Sequence, residues 1–232
     1  MNALLLAAGL GARLYPTTKT TPKCLVKVGQ YTMLDHWLYK LDMLGVKNFI
    51  INTHYLSEKV ERFISRHEFR YRISIYHEKT LLGTAGTLAA NKAFIDQDTF
   101  VVHVDNFCLD DLTGMVDTHL NRPEQTVMTM LTFKTNNPKN CGLVTTNKNN
   151  LMTSFVEKPI KPRSSIANGA VYLISKEFKE HLSKPNAPVF DISIHILPKL
   201  LGFVSCYKTT KFFIDVGTPE NLELARRQAI VK

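Results

Sequence analysis

The sequence predicts an α/β fold: a single Rossmann-like domain whose mixed, mainly parallel sheet is flanked by helices. Three observations predict it. Short apolar runs alternate with stretches of helical periodicity through residues 1–125. The first run, Ala3 to Ala8, ends at Gly9 and opens directly into a loop rich in Gly, Thr, Pro and Lys. At 232 residues, 44% hydrophobic and 21% charged, the chain can bury a sizeable core and fits one large domain better than two small ones.

Each element follows from local pattern. Ala3 to Ala8 is wholly apolar, as a buried parallel strand is. Met33, Leu34, Trp37, Leu38, Leu41 and Leu44 recur at helical spacing, and Gly45 stands where a helix stops. Phe49 to Thr53 reads as a strand, Ser57 to His67 as a helix capped by Ser57, and Ile73 to His77 as a strand. Thr84 to Phe94 reads as a helix and Thr99 to Val104 as a strand. From Thr126 strands dominate: Thr126 to Phe133, Gly142 to Thr146, Met152 to Glu157 and Ala167 to Ile174. Helices at Asp191 to Leu201 and Pro219 to Ile230 follow. The expected organisation is one domain over residues 1–232, with an alternating half at 1–125 and a strand-rich half at 126–232.

Composition narrows the class. No apolar stretch reaches the ~20 residues of a membrane span, and no basic segment precedes the first apolar run, which predicts a cytoplasmic protein. Cys24, Cys108, Cys141 and Cys206 are far apart and lack metal-ligand spacing, so reduced thiols are expected. The net charge of +9 suits an anionic partner, but the basic residues are scattered from Arg13 to Lys232 without a run of five. That dispersion favours phosphorylated small molecules over nucleic acid.

The chemistry is concentrated in five motifs. In LAAGLGARLYPTTKTTPKCL, Leu6 to Leu25, Gly9 and Gly11 let backbone amides approach phosphate oxygens while Arg13 and Lys23 supply charge. The loop is neither the GxGxxG of dinucleotide oxidoreductases nor the P-loop. LLGTAGTL, Leu81 to Leu88, is a glycine-bearing strand-to-helix turn able to face a flat base, with Gly83 and Thr84 the candidates and Glu78 nearby. In VVHVDNF, Asp105 ends a parallel strand, where such sheets bind ligands and a carboxylate can hold Mg²⁺ against phosphate. His103 on the same strand reads as a core histidine. FVEKP offers Glu157 and Lys158, a carboxylate for sugar hydroxyls beside a cation for a sugar's phosphate, and ANGAVYL follows it. In FIDVGTPENLELA, Thr218 and Pro219 are explained as a helix cap with proline at the first helical position, whereas Asp215 is not.

The string G-x-G-x-R-L-x-P-x-T-x-x-x-P-K, with these further motifs, resembles the nucleoside-diphosphate-sugar pyrophosphorylases, or sugar-1-phosphate nucleotidylyltransferases, over nearly the whole chain. The resemblance implies a glycosyltransferase-A-like nucleotidyltransferase fold, here without a C-terminal β-helix and without a second activity. It implies a nucleotide site of Leu6, Ala8, Gly9, Gly11, Arg13, Lys23, Glu78, Gly83 and Thr84, and a sugar-phosphate site of Gly142, Glu157, Lys158, Asn168 and Gly169. It makes Asp105 and Asp215 the Mg²⁺ ligands, and Arg13, Lys23 and Lys158 the catalytic cations. The implied partners are a nucleoside triphosphate and a sugar 1-phosphate, with neither nucleic acid nor membrane; a homo-oligomer is compatible with it. GTP with mannose or heptose 1-phosphate is the leading pair, with UTP, dTTP and CTP as alternatives. Ala12 stands where the family commonly has threonine, and Val104 and Asn106 flank Asp105 in the manner of phosphocholine cytidylyltransferases, the rival enzyme class.

Overall fold

In the computed structural model, which describes residues 1–182 and 189–230, the elements alternate much as the apolar pattern demands. In chain order they are β1 (Asn2–Leu6), β2 (Lys27–Val28), β3 (Tyr31–Thr32), α1 (Met33–Met43), β4 (Asn48–Thr53), α2 (Ser57–Arg66), β5 (Ile73–His77), α3 (Thr84–Ala90) and β6 (Thr99–His103). Then come β7 (Asn106–Cys108), α4 (Thr113–Leu120), β8 (Met128–Lys134), β9 (Gly142–Thr146), β10 (Met152–Glu157), β11 (Ile166–Ile174), β12 (Val204–Lys208), β13 (Phe213–Asp215) and α5 (Pro219–Ile230). Contacts gather these into two compact units, one of Met1–Leu81, Val102–Leu109 and Lys211–Lys232, the other of Leu82–Val101 and Asp110–Thr210.

The first unit is built on parallel strands. β4 lies between β1 and β5, parallel to both, with Leu4 opposite Ile50 and Ile50 opposite Ser74. β1 and β4 are apolar because they are covered; Ala3, Leu4, Leu5 and Ile51 are fully buried. Helix α1 starts with a complete capping box, in which the Thr32 hydroxyl accepts from the Asp35 amide while the Asp35 carboxylate accepts from the Thr32 amide. Its buried stripe is Met33, Leu34, Trp37, Leu38 and Leu41. The Trp37 indole donates to the Asn106 carbonyl at 2.8 Å, so burial of the largest core side chain also fixes β7. Antiparallel pairing of β7 with β13 sets Asp215 opposite Asn106.

The second unit is mixed. β8 pairs antiparallel with β11 and parallel with β12, and β9 pairs antiparallel with β10 and with β11. Helix α4 buries Met115 and His119, whose ring meets the Thr129 hydroxyl of β8 at 3.0 Å.

Three local expectations are corrected. Ser57 does not cap α2; Leu56, at φ 52°, is the capping residue, and no side chain bonds the helix end. The helix expected over Thr84 to Phe94 ends at Ala90, and a separate 3₁₀ turn covers Lys92–Phe94. The Asn91 side chain donates to the Thr87 carbonyl at 2.8 Å, satisfying the helix end locally. The stretch Asp191 to Leu201 is a short π-helical turn, Ile192–Ile196, followed by a 3₁₀ turn, Leu197–Lys199, because Pro198 removes an amide and crowds the preceding turn.

Candidate active site

The carboxyl ends of β1, β4 and β5 assemble the first constellation. The Ala7 amide donates to Asn52 Oδ1 at 2.6 Å, and Asn52 Nδ2 donates to Glu78 Oε1 at 2.9 Å. Leu6 stands opposite Asn52 in register, and Ala8 and Glu78 are buried beside it. The loop beyond is fastened through its carbonyls. Gly11 accepts from the Thr18 hydroxyl at 2.7 Å, Lys19 accepts from the Tyr55 hydroxyl at 3.1 Å, and Thr20 accepts from the Lys59 ammonium. Among the described residues, the amides of Gly9, Leu10 and Gly11 donate to no protein acceptor. A Cβ on Gly9 would meet nothing within 4 Å, so the protein itself does not demand glycine there.

Four charged groups from three chain segments meet at this loop, Arg13 and Lys23 from the loop itself and Asp105 and Asp215 from outside it. Lys23 Nζ lies 2.5 Å from Asp105 Oδ2 and 3.3 Å from Asp215 Oδ1, and Arg13 Nη2 lies 3.3 Å from Asp215 Oδ2. The sheet sets this convergence: β7 pairs with β13, and the Val216 amide donates to the Asp105 carbonyl at 2.9 Å. The Lys23 side chain is 9% exposed, against 32% for Asp105 and 43% for Asp215, so the cation is the buried member. Burial alone would raise the Asp105 carboxyl, but the Lys23 ammonium overcomes it and holds Asp105 below its ordinary value. Both carboxylates are hard oxygen donors of the kind Mg²⁺ takes, and each is turned to the Lys23 ammonium. Among the described residues, no group of three or more His, Cys, Asp or Glu side chains could hold a metal.

In the second unit, Gly83 and Thr84 open α3. Gly83 has φ +79°, and a Cβ there would lie 2.6 Å from the Phe190 carbonyl oxygen, so both backbone and space require glycine. Asp191 Oδ1 accepts from the Thr84 amide at 3.0 Å and from its hydroxyl at 3.2 Å. The Thr84 hydroxyl in turn accepts from the Ile192 amide at 2.8 Å. Its side chain is therefore engaged in shaping the turn.

The same unit holds the Glu-Lys pair. Glu157 stands opposite Gly142 across β10 and β9, and Lys158 Nζ is 3.8 Å from Glu157 Oε1. A Cβ on Gly142 would come within 2.6 Å of both Glu157 Oε2 and the Phe155 ring, so the close approach of β10 side chains requires glycine. Partial burial, helped by the negative charge of Asp191, raises the Glu157 carboxyl although Lys158 opposes the shift. Asn168 and Gly169 lie where the β11 register breaks between Asn168 and Tyr172. Asn168 Nδ2 donates to the Tyr172 hydroxyl at 2.8 Å, and its Oδ1 accepts from the Ala170 amide at 2.8 Å, with Ala170 at φ 50°.

A family model described as Nucleotidyl transferase matches residues 2–230. The chain belongs to the nucleotidyl transferase family. It is 30% identical to the "Mannose-1-phosphate guanylyltransferase catalytic subunit beta" of Xenopus tropicalis, over 95% of the chain and 62% of that protein. It is 28% identical to the Drosophila melanogaster protein of the same name, over 95% of the chain and 60% of that protein. The chain thus spans about six tenths of the length of these curated relatives. A Bacillus anthracis structure, assigned as a glucose-1-phosphate thymidylyltransferase and solved with sucrose, superposes with a TM-score of 0.87 at 27% identity, covering 99% of this chain and 95% of that one. HddC from Yersinia pseudotuberculosis, complexed with GMP-PN, shares the fold with a TM-score of 0.78 at 23% identity, covering 98% of each chain.

In this nucleotidyl transferase, sequence reasoning missed Asn52 and Asp191. A signal existed for each. Asn52 is a polar residue ending an apolar run, placed where parallel strands meet ligands, and Asp191 immediately precedes an apolar stretch, as a capping residue does. The Thr218 cap is present, its hydroxyl accepting from the Asn221 amide at 3.3 Å.

Proposed function

We propose that this protein transfers a nucleotidyl group from GTP to a sugar 1-phosphate, mannose 1-phosphate or heptose 1-phosphate, and releases pyrophosphate. The observation that carries this reading is the gathering of Lys23, Arg13, Asp105 and Asp215 beside a loop whose Gly9, Leu10 and Gly11 amides have no protein acceptor among the described residues. Oriented amides with flanking cations are what a triphosphate needs. Family membership and relatives named for mannose-1-phosphate guanylyltransferase support the choice of GTP and mannose 1-phosphate.

In this reading residues 1–232 work as one nucleotidyltransferase domain, with the nucleotide-binding role in 1–125 and the sugar-binding role in 126–232. The amides of Gly9 and Gly11 hold phosphate oxygens, and Arg13 and Lys23 neutralise them. To the nucleoside we assign Leu6, Ala8 and Glu78 of the first unit, and Gly83 and Thr84 of the second. The hydroxyl and the amide of Thr84 are both engaged with Asp191, so Thr84 contributes by shaping that turn. Glu157 accepts sugar hydroxyls, Lys158 takes the sugar's phosphate, and Gly142, Asn168 and Gly169 line the sugar.

A sugar 1-phosphate is largely dianionic near neutral pH, with a second pKa of ~6, so its oxygen attacks the α-phosphorus without a protein base. The new P–O bond forms as the bond to the β-phosphate breaks, and pyrophosphate leaves with the electron pair. No covalent enzyme intermediate arises, and the protein's contribution is positioning and neutralisation. Mg²⁺ held by Asp105 and Asp215 would add charge neutralisation at the phosphates. Among the described residues no helix is long and apolar enough to cross a membrane, and we place the reaction in the cytoplasm.

Pyrophosphate release from GTP, UTP, dTTP and CTP against mannose, heptose and glucose 1-phosphates and phosphocholine tests the reading. GTP with mannose 1-phosphate is expected to be fastest. Turnover confined to CTP with phosphocholine would transfer the chain to the rival class, and no turnover with any pair would overturn the assignment.

A further inference from the structure

A pocket of about 440 Å³ opens beside α2, within the size range of small-molecule sites. One wall is a cationic stripe. Lys59, Arg62 and Arg66 all line the pocket, and with Phe63 they recur three and four residues apart, which puts them on one helix face. Glu58 and Glu61 fall outside that stripe, and Val60 and Ile64 are buried. Among the described residues, none of the three cations is paired with a carboxylate.

The floor adds a buried donor. His67, 8% exposed, lines the pocket. Its Nδ1 accepts from the Phe69 amide at 3.1 Å, so Nε2 carries the proton. Nε2 lies 3.2 Å from Asp35 Oδ1 but is out of hydrogen-bond alignment, which leaves a buried N–H unsatisfied. Asp35 is the pocket's acidic member, and its other oxygen is occupied by the Thr32 amide and hydroxyl, both at 2.8 Å. Three cations against one such carboxylate leave the pocket strongly positive, while Phe63 and Leu25 give it apolar surface.

We propose that this pocket is a second phosphate site, taking a phosphorylated ligand of nucleotide size. Its phosphates lie against Lys59, Arg62 and Arg66, where guanidinium groups bind phosphate bidentately, and its ring or sugar covers Phe63 and Leu25. The site adjoins the nucleotide loop in sequence and in space. Leu25 closes the 3₁₀ turn that begins at Lys23, and the Lys59 ammonium holds the Thr20 carbonyl. A phosphate drawing Lys59 away releases that carbonyl, so occupation of the pocket is felt in the loop.

Titration of ¹⁵N-labelled protein with GDP and with inorganic pyrophosphate tests this without an activity assay. Saturable shifts are expected at the Phe63, Arg66 and His67 amides, and Arg62→Ala/Arg66→Ala should weaken that response about tenfold or more. Arg62→Gln/Arg66→Gln keeps the side-chain stems and checks that the loss is of charge, not of helix. Amides of α2 that do not move with either probe at millimolar concentration, or shifts that survive both double variants, would overturn the site. The nucleotide loop itself moves Thr20 when a phosphate binds there, so the coupling is read as the part of the Thr20 shift that Lys59→Gln removes; an identical Thr20 shift in the wild type and in Lys59→Gln would remove the coupling.

Discussion

The ammonium of Lys23 lies 2.5 Å from the Asp105 carboxylate, and the lysine is the more buried of the two. From sequence, Lys23 is expected to wait for phosphate charge, so that its removal would cost turnover and spare the fold. The geometry gives it two carboxylate partners already. Lys23→Ala therefore leaves Asp105 without its cation and Asp215 with Arg13 alone. A stability loss of about 1–3 kcal/mol is expected, because both carboxylates keep some access to water. Turnover should fall by about 10² or more if the ammonium also stabilises transferring phosphate. Thermal unfolding beside kcat/KM separates the effects, and an unchanged kcat/KM would remove Lys23 from the site.

Glu157 carries a cost that its proposed role explains. Its carboxyl is raised above 4.5, chiefly by burial, so the native state holds the proton more tightly than the unfolded chain does. For a raised group, the stabilising contribution is complete below 4.5 and is lost as pH rises through the native value. Glu157→Gln cannot ionise. The variant should therefore gain on the wild type as pH rises above the ordinary carboxyl value, with the gap levelling once pH has passed the raised native value. Its KM for the sugar phosphate should rise about tenfold with the KM for GTP unchanged. A variant that is less stable at neutral pH and has wild-type KM values would make Glu157 a structural residue.

Gly142→Ala probes the same pocket from the other strand. The new methyl would meet Glu157 Oε2 and the Phe155 ring at 2.6 Å. The Phe155 ring is buried and meets the methyl as closely as the carboxylate does, so the two strands must shift apart and the Glu157 carboxylate moves with them. A loss of about 1–3 kcal/mol is expected from overpacking, with a higher KM for sugar phosphate and an unaltered KM for GTP. Wild-type KM for the sugar phosphate in this variant would take Gly142 out of the site.

Much of the fold is legible in the chain because burial leaves apolar runs of the right length. β1, β4 and the stripe of α1 are of this kind. What escapes is short or locally ambiguous. β7 has three residues, α4 is bounded by Leu112 at φ 67° with no capping side chain, and β12 mixes Ser, Cys and Tyr. The charged candidates are legible because Arg, Lys and Asp stand at strand ends and in a glycine loop. Their mutual pairing is not, since it depends on β7 meeting β13 across more than a hundred residues. Asn52 and Asp191 stay hidden for the same reason: each acts through a backbone group distant in sequence.

Asp105 and Asp215 test the metal. The Val216 amide bonds the Asp105 carbonyl and both carboxylates meet Lys23, which brings them to one locus. If they share Mg²⁺, Asp105→Asn or Asp215→Asn should each lower activity strongly and raise the Mg²⁺ concentration needed for half-maximal rate. The double variant should then cost little more than either single one, because groups acting as a unit are not additive. Excess Mg²⁺ should partly rescue the single variants. The competing account is specific: Asp215 serves only to balance Arg13 and Lys23, which it meets at 3.3 Å each. On that account Asp215→Asn lowers the melting temperature and leaves the Mg²⁺ dependence alone. Melting curves taken with and without Mg²⁺ give a readout independent of turnover, since an ion bound only by the native state stabilises it by mass action. Wild-type Mg²⁺ dependence in Asp215→Asn, by rate and by melting, would sink the shared-metal arrangement.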